Sequence, residues 1–113
     1  MPSTAIAWFR RDLRLHDNPA WAAASWADAT VALLVLEPDL LDRAGPFRRA
    51  AFLAGVATLD TALQAHGGRL RVETGDPAEV VARVAVEVDA TTVHTNADVT
   101  RWACLLYTSD AAD

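Results

Sequence analysis

The chain has one cysteine and three histidines among its 113 residues. The single cysteine, Cys104, cannot form an internal disulfide. The histidines, His16, His66 and His94, lie far apart in the sequence and show none of the paired spacings that are typical of zinc ligands. The sequence therefore gives no support to a metal site.

Long apolar runs and targeting segments are also missing. No apolar run approaches the roughly 20 residues that a membrane-spanning helix needs. The opening Met-Pro-Ser-Thr lacks the basic and apolar segments of a secretory signal. We therefore expect a cytoplasmic protein that has no membrane partner.

Two phosphate-binding fingerprints and a basic tail are absent as well. No G-x-G-x-x-G follows the first apolar run and no G-x-x-x-x-G-K-[ST] occurs anywhere, which disfavours nucleoside di- and triphosphates as ligands. The formal net charge is −5, whereas proteins that grip nucleic acid cluster their basic residues. We expect no DNA binding by this chain alone.

What the sequence does contain is an alternation of strand-like and helix-like segments, in a chain whose length fits one small domain and whose residues are 52% hydrophobic. Apolar runs predict strands at residues 5–9, 30–36, 70–74 and 91–95. Helices are predicted at residues 19–27, 47–66 and 77–88. This order predicts an α/β fold, a Rossmann-like, doubly wound parallel sheet with helices on both faces.

Residues at the helix ends and on the helix faces support these bounds. Asn18 before Pro19 is typical of a helix start, and Asp76 with Glu79 forms a capping box. Gly67-Gly68 suits the left-handed end of the second helix. The residues predicted to face inward are Phe52, Val56, Leu59 and Leu63 in the second helix and Val80, Val81, Val84 and Val88 in the third.

The most informative segment is the polar loop after the first strand. Six charged or amide side chains fall within nine residues: Arg10, Arg11, Asp12, Arg14, Asp17 and Asn18. In an open α/β sheet, a loop at the carboxyl end of a strand is where ligands bind. Two interpretations stay open. The arginines pair with Asp12 and Asp17 to pin the loop, or some of them line a pocket for a planar chromophore, on which a guanidinium can stack.

The same segment resembles the opening of the photolyase and cryptochrome family. From Trp8 to Pro19 the chain matches the pattern W-F-R-R-D-L-R-L-x-D-N-P, and the resemblance runs in register over roughly residues 5–100. It implies that residues 1–100 are the N-terminal α/β antenna-chromophore domain of a flavin-dependent, light-driven DNA photolyase, a carbon–carbon lyase. The chromophore of this domain would be of the folate or deazaflavin type.

The resemblance also implies what this chain does not contain. FAD and the groove for UV-damaged DNA would belong to a helical C-terminal domain that acts in cis, so we expect no repair activity from this chain alone and assign no catalytic residue. Residues 101–113 depart from the family pattern and resemble an aberrant tail, which predicts that a fifth strand is lost.

Candidate cofactor-binding residues follow from the sheet edge and the resemblance together. Glu37 ends the second strand, and Asn96-x-Asp98 ends the fourth, at the same edge as the first loop. The candidates are Arg10, Arg11, Asp12, Glu37, Asn96 and Asp98. Ordinary capping of strand ends is the alternative role for these side chains.

Two other functions remain open. A cryptochrome-type blue-light photoreceptor would share this domain, and only the downstream sequence would separate it from a repair enzyme. A free-standing nucleotide-binding α/β domain is the third possibility, although the missing glycine loop disfavours it.

Overall fold

A computed structural model describes residues 2–96 and shows a four-stranded parallel sheet. The strands are β1 (Thr4–Phe9), β2 (Ala29–Leu36), β3 (Leu70–Thr74) and β4 (Thr92–His94). Their order is β3-β2-β1-β4, and all three neighbouring pairs are parallel. The predicted α/β fold with a doubly wound parallel sheet is confirmed. The strand order changes direction between β1 and β4, which makes that gap the topological switch point.

Four helices connect the strands in the described part of the chain. They are α1 (Pro19–Ala24), α2 (Pro38–Ala44), α3 (Pro46–Ala65) and α4 (Pro77–Glu87). Each begins with a proline, whose fixed φ suits the first helical position and whose missing N–H costs nothing there. The sequence predicted α1, α3 and α4 to within three residues at each end but missed α2, which is seven residues long and buries none of them.

Alternating side chains of β1 divide the core between the two faces of the sheet. Ile6 and Trp8 pack with residues of α4, including Val81 and Val84. Phe9 lies on the opposite face, with Leu59 and Leu63 of α3. Because both faces are covered, β1 is buried along nearly its whole length.

The predicted helix faces and helix ends are confirmed. In α4, Val80, Val81 and Val84 are buried, and Val88 packs against the same cluster. In α3, Leu59 and Leu63 are buried, and Phe52 and Val56 pack against them. The side chain of Asp76 accepts a hydrogen bond from the Glu79 N–H at 3.1 Å. Gly67, with φ 84°, ends α3 in the left-handed conformation that glycine adopts most readily.

Some predictions fall on residues 97–113, which lie outside the described residues. These are the position of Asp98, the aberrant tail and the loss of a fifth strand. Within residues 2–96, none of the helices combines the length and the apolar character that crossing a membrane would take.

Candidate functional site

A cavity of about 530 Å³ lies at the carboxyl ends of β1 and β2, beside α2 and α3. This volume falls in the range of small-molecule and cofactor sites. Three aromatic side chains contribute to its wall, Trp8 and Phe9 from β1 and Phe52 from α3. Aliphatic residues complete the apolar part: Val35, Leu36, Leu40, Leu41, Ala44 and Pro77.

The charged part of the wall is dominated by guanidinium groups. Arginines line the cavity at Arg10, Arg11, Arg43, Arg48 and Arg49, and among residues 2–96 the one carboxylate in the wall is that of Glu37. All ten basic residues of the chain are arginines, which stay protonated throughout the physiological pH range. The cavity is therefore locally positive, although the chain as a whole is acidic.

Arg10 and Trp8 form a stacked pair in this wall. The Cζ atom of Arg10 lies 5.2 Å from the centroid of the Trp8 ring, within the range of cation–π contacts. The Trp8 side chain is held rigidly because the residue is only 4% exposed. The pair therefore places a positive charge beside an aromatic ring in the cavity wall.

Arg49 contributes a hydrogen-bond donor that nothing in the described residues uses. Its Nε atom is buried and has no hydrogen-bond partner there. A buried donor without a partner costs free energy that a carbonyl, carboxylate or phosphate oxygen of a ligand would recover. Arg49 also lines the cavity, so its Nε atom is a candidate contact for an acceptor on a ligand.

A separate network of amide groups lies at the switch point between β1 and β4. Its centre is Asn18, the one buried polar side chain among residues 2–96, which accepts a hydrogen bond from the Trp21 N–H and so caps α1 as predicted. The carboxylate of Asp12 accepts hydrogen bonds from the Asn18 and Asn96 amides and, at 3.2 Å, from the Arg10 backbone N–H. The Asn96 carbonyl oxygen accepts from the Ala20 N–H at 2.8 Å.

The structure thus divides the predicted site residues into two groups. Arg10, Arg11 and Glu37 line the cavity. Asp12 and Asn96 belong to the amide network, and neither is among the described residues that line the cavity. Asp98 lies outside the described residues. Cofactor binding by these six residues stays a prediction.

The hydrogen bonds that hold the first loop within residues 2–96 run through amide and backbone groups. Amide and backbone N–H groups surround the carboxylate of Asp12. The guanidinium of Arg14 donates to the backbone carbonyl of Asp17, at 3.2 Å, instead of its carboxylate.

Sequence reasoning missed the arginines contributed by α2 and α3, Arg43, Arg48 and Arg49. They were missed because α2 itself was not predicted, so the chain between Glu37 and the long helix had no assigned position. The Arg48-Arg49 pair, just after Gly45-Pro46, was the signal that could have found them. It is a second arginine pair at a turn that follows a strand end.

A group of ion pairs lies on β3 and α4, apart from the cavity. Glu73 contacts Arg71 at 3.1 Å and Arg83 at 3.0 Å, and Arg71 also pairs with Glu87. Hydrogen bonds from Arg71 lower the pKa of both glutamates, and their carboxylates raise the pKa of Arg71. These side chains are partly or largely exposed, so the group is a solvated surface feature that contributes little to stability.

Burial lowers the pKa of His94 on β4, and its Nε2 lies 3.1 Å from the Thr92 hydroxyl. Among residues 2–96, no group of three or more His, Cys, Asp or Glu side chains could hold a metal ion.

Sheet and cavity together define a class of protein: a parallel α/β domain with a cofactor-sized cavity at the carboxyl ends of its strands. The family model described as DNA photolyase matches residues 5–109, nearly the whole chain. The chain belongs to the DNA photolyase family, as the resemblance of its opening loop predicted.

Curated relatives include deoxyribodipyrimidine photo-lyases and a cryptochrome. A deoxyribodipyrimidine photo-lyase of Streptomyces griseus is 44% identical over 104 residues, covering 89% of this chain and 23% of the relative. A deoxyribodipyrimidine photo-lyase of Thermus thermophilus is 43% identical over 89 residues, covering 79% and 21%. A cryptochrome DASH of Synechocystis sp. is 32% identical over 109 residues, covering 89% and 22%. The chain spans less than a quarter of the length of these relatives.

Solved structures agree with this assignment. The structure of a cryptochrome from Synechocystis sp. PCC6803 matches with a TM-score of 0.76 and 32% identity, over 84% of this chain and 21% of that one. A class III photolyase from Agrobacterium tumefaciens matches with a TM-score of 0.67 and 26% identity, over 86% of this chain and 20% of that one. The fold is therefore that of the α/β domain of this family.

Proposed function

We propose that this chain is the antenna-chromophore domain of a light-driven, flavin-dependent DNA photolyase. The observation that carries the proposal is the cavity at the carboxyl ends of β1 and β2, which combines an aromatic wall with several guanidinium groups and an unused donor. Membership of the family supplies the wider activity, the splitting of pyrimidine dimers in UV-damaged DNA. This activity is proposed for the parent protein in the cytoplasm, a compartment that suits a chain with one cysteine.

The residues of the cavity fit a planar heteroaromatic ligand of the folate or deazaflavin type. Trp8 and Phe52 offer apolar ring surfaces, and Arg10 offers a guanidinium plane that stacks well on aromatic rings. The Nε donor of Arg49 is available to a carbonyl or carboxylate oxygen of the ligand. When bound, such a chromophore absorbs light and passes the excitation energy to the flavin.

FAD and damaged DNA belong to the parent protein in this proposal. The helical C-terminal domain that would hold both corresponds to the larger part of the relatives, which this chain does not span. None of the described residues is assigned to electron transfer or to dimer splitting. The expected result is that this chain alone repairs no DNA, whereas the parent protein does so in light.

A photoreceptor of the cryptochrome type is the second candidate function. One specific observation favours it: the cryptochrome structure matches this chain with a higher TM-score than the class III photolyase structure does. The deoxyribodipyrimidine photo-lyases among the curated relatives have a higher sequence identity to this chain than the cryptochrome does, which favours repair. The antenna cavity is compatible with either parent protein.

Titration of the 113-residue chain with three ligands tests the proposal. The ligands are 8-hydroxy-5-deazaflavin, 5,10-methenyltetrahydrofolate and ATP. Binding is measured by the change in ligand absorbance and by calorimetry. Saturable binding of one chromophore and weak or no binding of ATP is the expected result. Binding of ATP in preference to both chromophores would favour the nucleotide-binding class and overturn the antenna assignment.

A further inference from the structure

The gap at the topological switch point, between β1 and β4, is closed by side chains. In doubly wound sheets this gap is the usual entrance for ligands. Here the Asn96 amide, just beyond β4, donates hydrogen bonds to Asp12 and Asn18, and its carbonyl oxygen accepts from the first turn of α1. The cavity lies beside this closed gap, over β1 and β2. The amide network therefore occupies the place where a ligand would otherwise enter.

A continuous chain of contacts leads from this network into the cavity wall. Asn96 holds one carboxylate oxygen of Asp12, and the other oxygen accepts the Arg10 backbone N–H at 3.2 Å. The Arg10 guanidinium in turn lies over Trp8, and both side chains line the cavity. A carboxylate that accepts several N–H groups at once has little freedom to move. The position of Arg10 is thus tied to the end of β4.

We propose that Asn96 is a positioning residue for the cavity, which acts through Asp12 to hold Arg10 over Trp8 and so sets the affinity for the ligand. The proposal rests on the function proposed above, because it concerns the same cavity. It gives Asn96 and Asp12 a role different from direct contact with the ligand, since neither lines the cavity within the described residues. Without the network, the residues that contact the ligand would still be present, but the position of Arg10 over Trp8 would no longer be fixed.

The competing explanation is that Asn96 only stabilises the fold, because it also accepts a hydrogen bond from the Ala20 N–H. The substitution Asn96→Asp separates the two roles. It keeps an oxygen for the Ala20 N–H but replaces the amide donor with a carboxylate oxygen that faces Asp12. Repulsion between the two carboxylates then displaces Asp12 and releases the Arg10 N–H.

The double variant Asp12→Asn with Asn96→Asp provides the rescue. In this pair the donor and the acceptor between positions 12 and 96 exchange places, and residue 12 keeps an oxygen for the Arg10 N–H. The hydrogen bonds from these two positions to Asn18 are not restored, because two acceptors then meet at one contact and two donors at the other, so the expected rescue is partial. Asp60→Asn is the matched control. Asp60 likewise accepts a strand N–H, from Leu70 at 2.8 Å, and a side-chain amide, from Gln64, but it acts at the amino end of β3.

The experiment has one readout without ligand and one with it. In nitrogen–proton NMR spectra of the free 113-residue chain, Asn96→Asp is expected to shift the Arg10 backbone amide and the Trp8 indole, the double variant to return both towards wild type, and Asp60→Asn to leave both unchanged. In titrations with 8-hydroxy-5-deazaflavin and 5,10-methenyltetrahydrofolate, Asn96→Asp is expected to weaken binding about ten-fold and the double variant to recover part of this loss.

The outcomes distinguish this inference from the function on which it rests. If the wild-type chain binds a chromophore and Asn96→Asp neither weakens it nor moves the two resonances, the positioning role is wrong and the antenna function stands. If Asn96→Asp shifts the Arg10 and Trp8 resonances and the double variant returns them towards wild type, but no chromophore binds the wild-type chain, the antenna function is wrong and the positioning of Arg10 stands. The single variant Asp12→Asn repeats the test while it keeps the hydrogen bond between Asn96 and α1. Its NMR and titration results are interpreted in the same two ways.

Discussion

The guanidinium of Arg10 lies over the ring of Trp8, 5.2 Å from its centroid, in the wall of the cavity at the carboxyl ends of β1 and β2. Trp8 is the next-to-last residue of β1 and Arg10 is the first residue after it. Residues two apart in an extended segment project to the same side. The stacked pair is therefore a direct product of strand geometry, and it places a positive charge next to an aromatic surface without help from another element.

Replacement of Arg10 by alanine is expected to weaken binding of the chromophore about ten-fold, because the stacked cation is lost from the wall. Arg69→Ala is the matched control, since Arg69 is an exposed arginine outside the cavity. Both variants are measured by titration with 8-hydroxy-5-deazaflavin and 5,10-methenyltetrahydrofolate. Equal losses in the two variants would show that only the overall charge matters.

Arg49→Met is expected to separate ligand binding from stability. The buried Nε atom has no hydrogen-bond partner in the described residues, so its removal changes the free energy of unfolding by no more than about 1 kcal/mol. The affinity for a ligand that accepts a hydrogen bond there should fall about ten-fold. Urea unfolding and ligand titration measure the two effects. A stability loss of several kcal/mol with unchanged affinity would contradict this prediction.

Two helix caps with the same hydrogen-bond pattern allow the contribution of the amide network to be compared with that of an isolated cap. Asn18 and Asp76 each accept a hydrogen bond from the N–H three residues on. Asp76→Ala is expected to cost about 1 kcal/mol in unfolding free energy, the usual value for a cap. Asn18→Ala should cost about 2–4 kcal/mol, because Asn18 is buried and also donates to Asp12 and Arg14. Equal costs in urea unfolding would show that the network adds nothing beyond the cap.

Two valines of α4 test the predicted inward face of this helix. Val84 is 0% exposed and Val86 is 83% exposed, although they are two residues apart. Val84→Ala should cost about 2–3 kcal/mol in unfolding free energy, from lost burial and the space left behind. Val86→Ala should change it by less than about 0.5 kcal/mol, since alanine also favours the helix. Similar values for both would contradict the packing of α4 against the sheet.

The ion pairs on β3 and α4 predict a small dependence of stability on pH. The pKa values of Glu73 and Glu87 are lowered from 4.5 in the folded chain, so their contribution is present above that ordinary value and is lost as the pH falls through the lowered values. The thermal midpoint of wild type should therefore fall more than that of Arg71→Gln between about pH 6 and about pH 3. The difference should shrink in high salt. Parallel curves for the two proteins would contradict it.

Much of the fold could be predicted because its signals are local. The β2 run is continuously apolar, as in a strand buried on both faces, and the valine spacing of α4 follows its buried side. Capping residues marked the starts of α1 and α4. The short helix α2 escaped prediction because it buries no residue, so burial leaves no pattern in its sequence.

The candidate site could be predicted only in part, because both the cavity and the amide network bring together residues that are far apart in the sequence. Arg10, Arg11 and Glu37 follow strand ends, and the rule for parallel sheets brings such positions to one edge. The same rule could not tell that Asn96 would turn its amide to Asp12 instead of a ligand, since that depends on which side chains fill the gap. The arginines of α3 depend on how a turn at Gly45 sets the helix against the sheet.

Two kinds of element line the cavity: the buried strands β1 and β2, and the short helix α2, which buries no residue. The side chains of β1 and β2 are locked between two packed layers, whereas α2 contributes Leu40, Leu41 and Arg43 to the wall without burying any residue. Substitutions along α2 therefore alter which molecule fits with little penalty to folding. For the proposed antenna function, this separation would let the chromophore specificity diverge through α2 while the sheet that carries the cavity is retained.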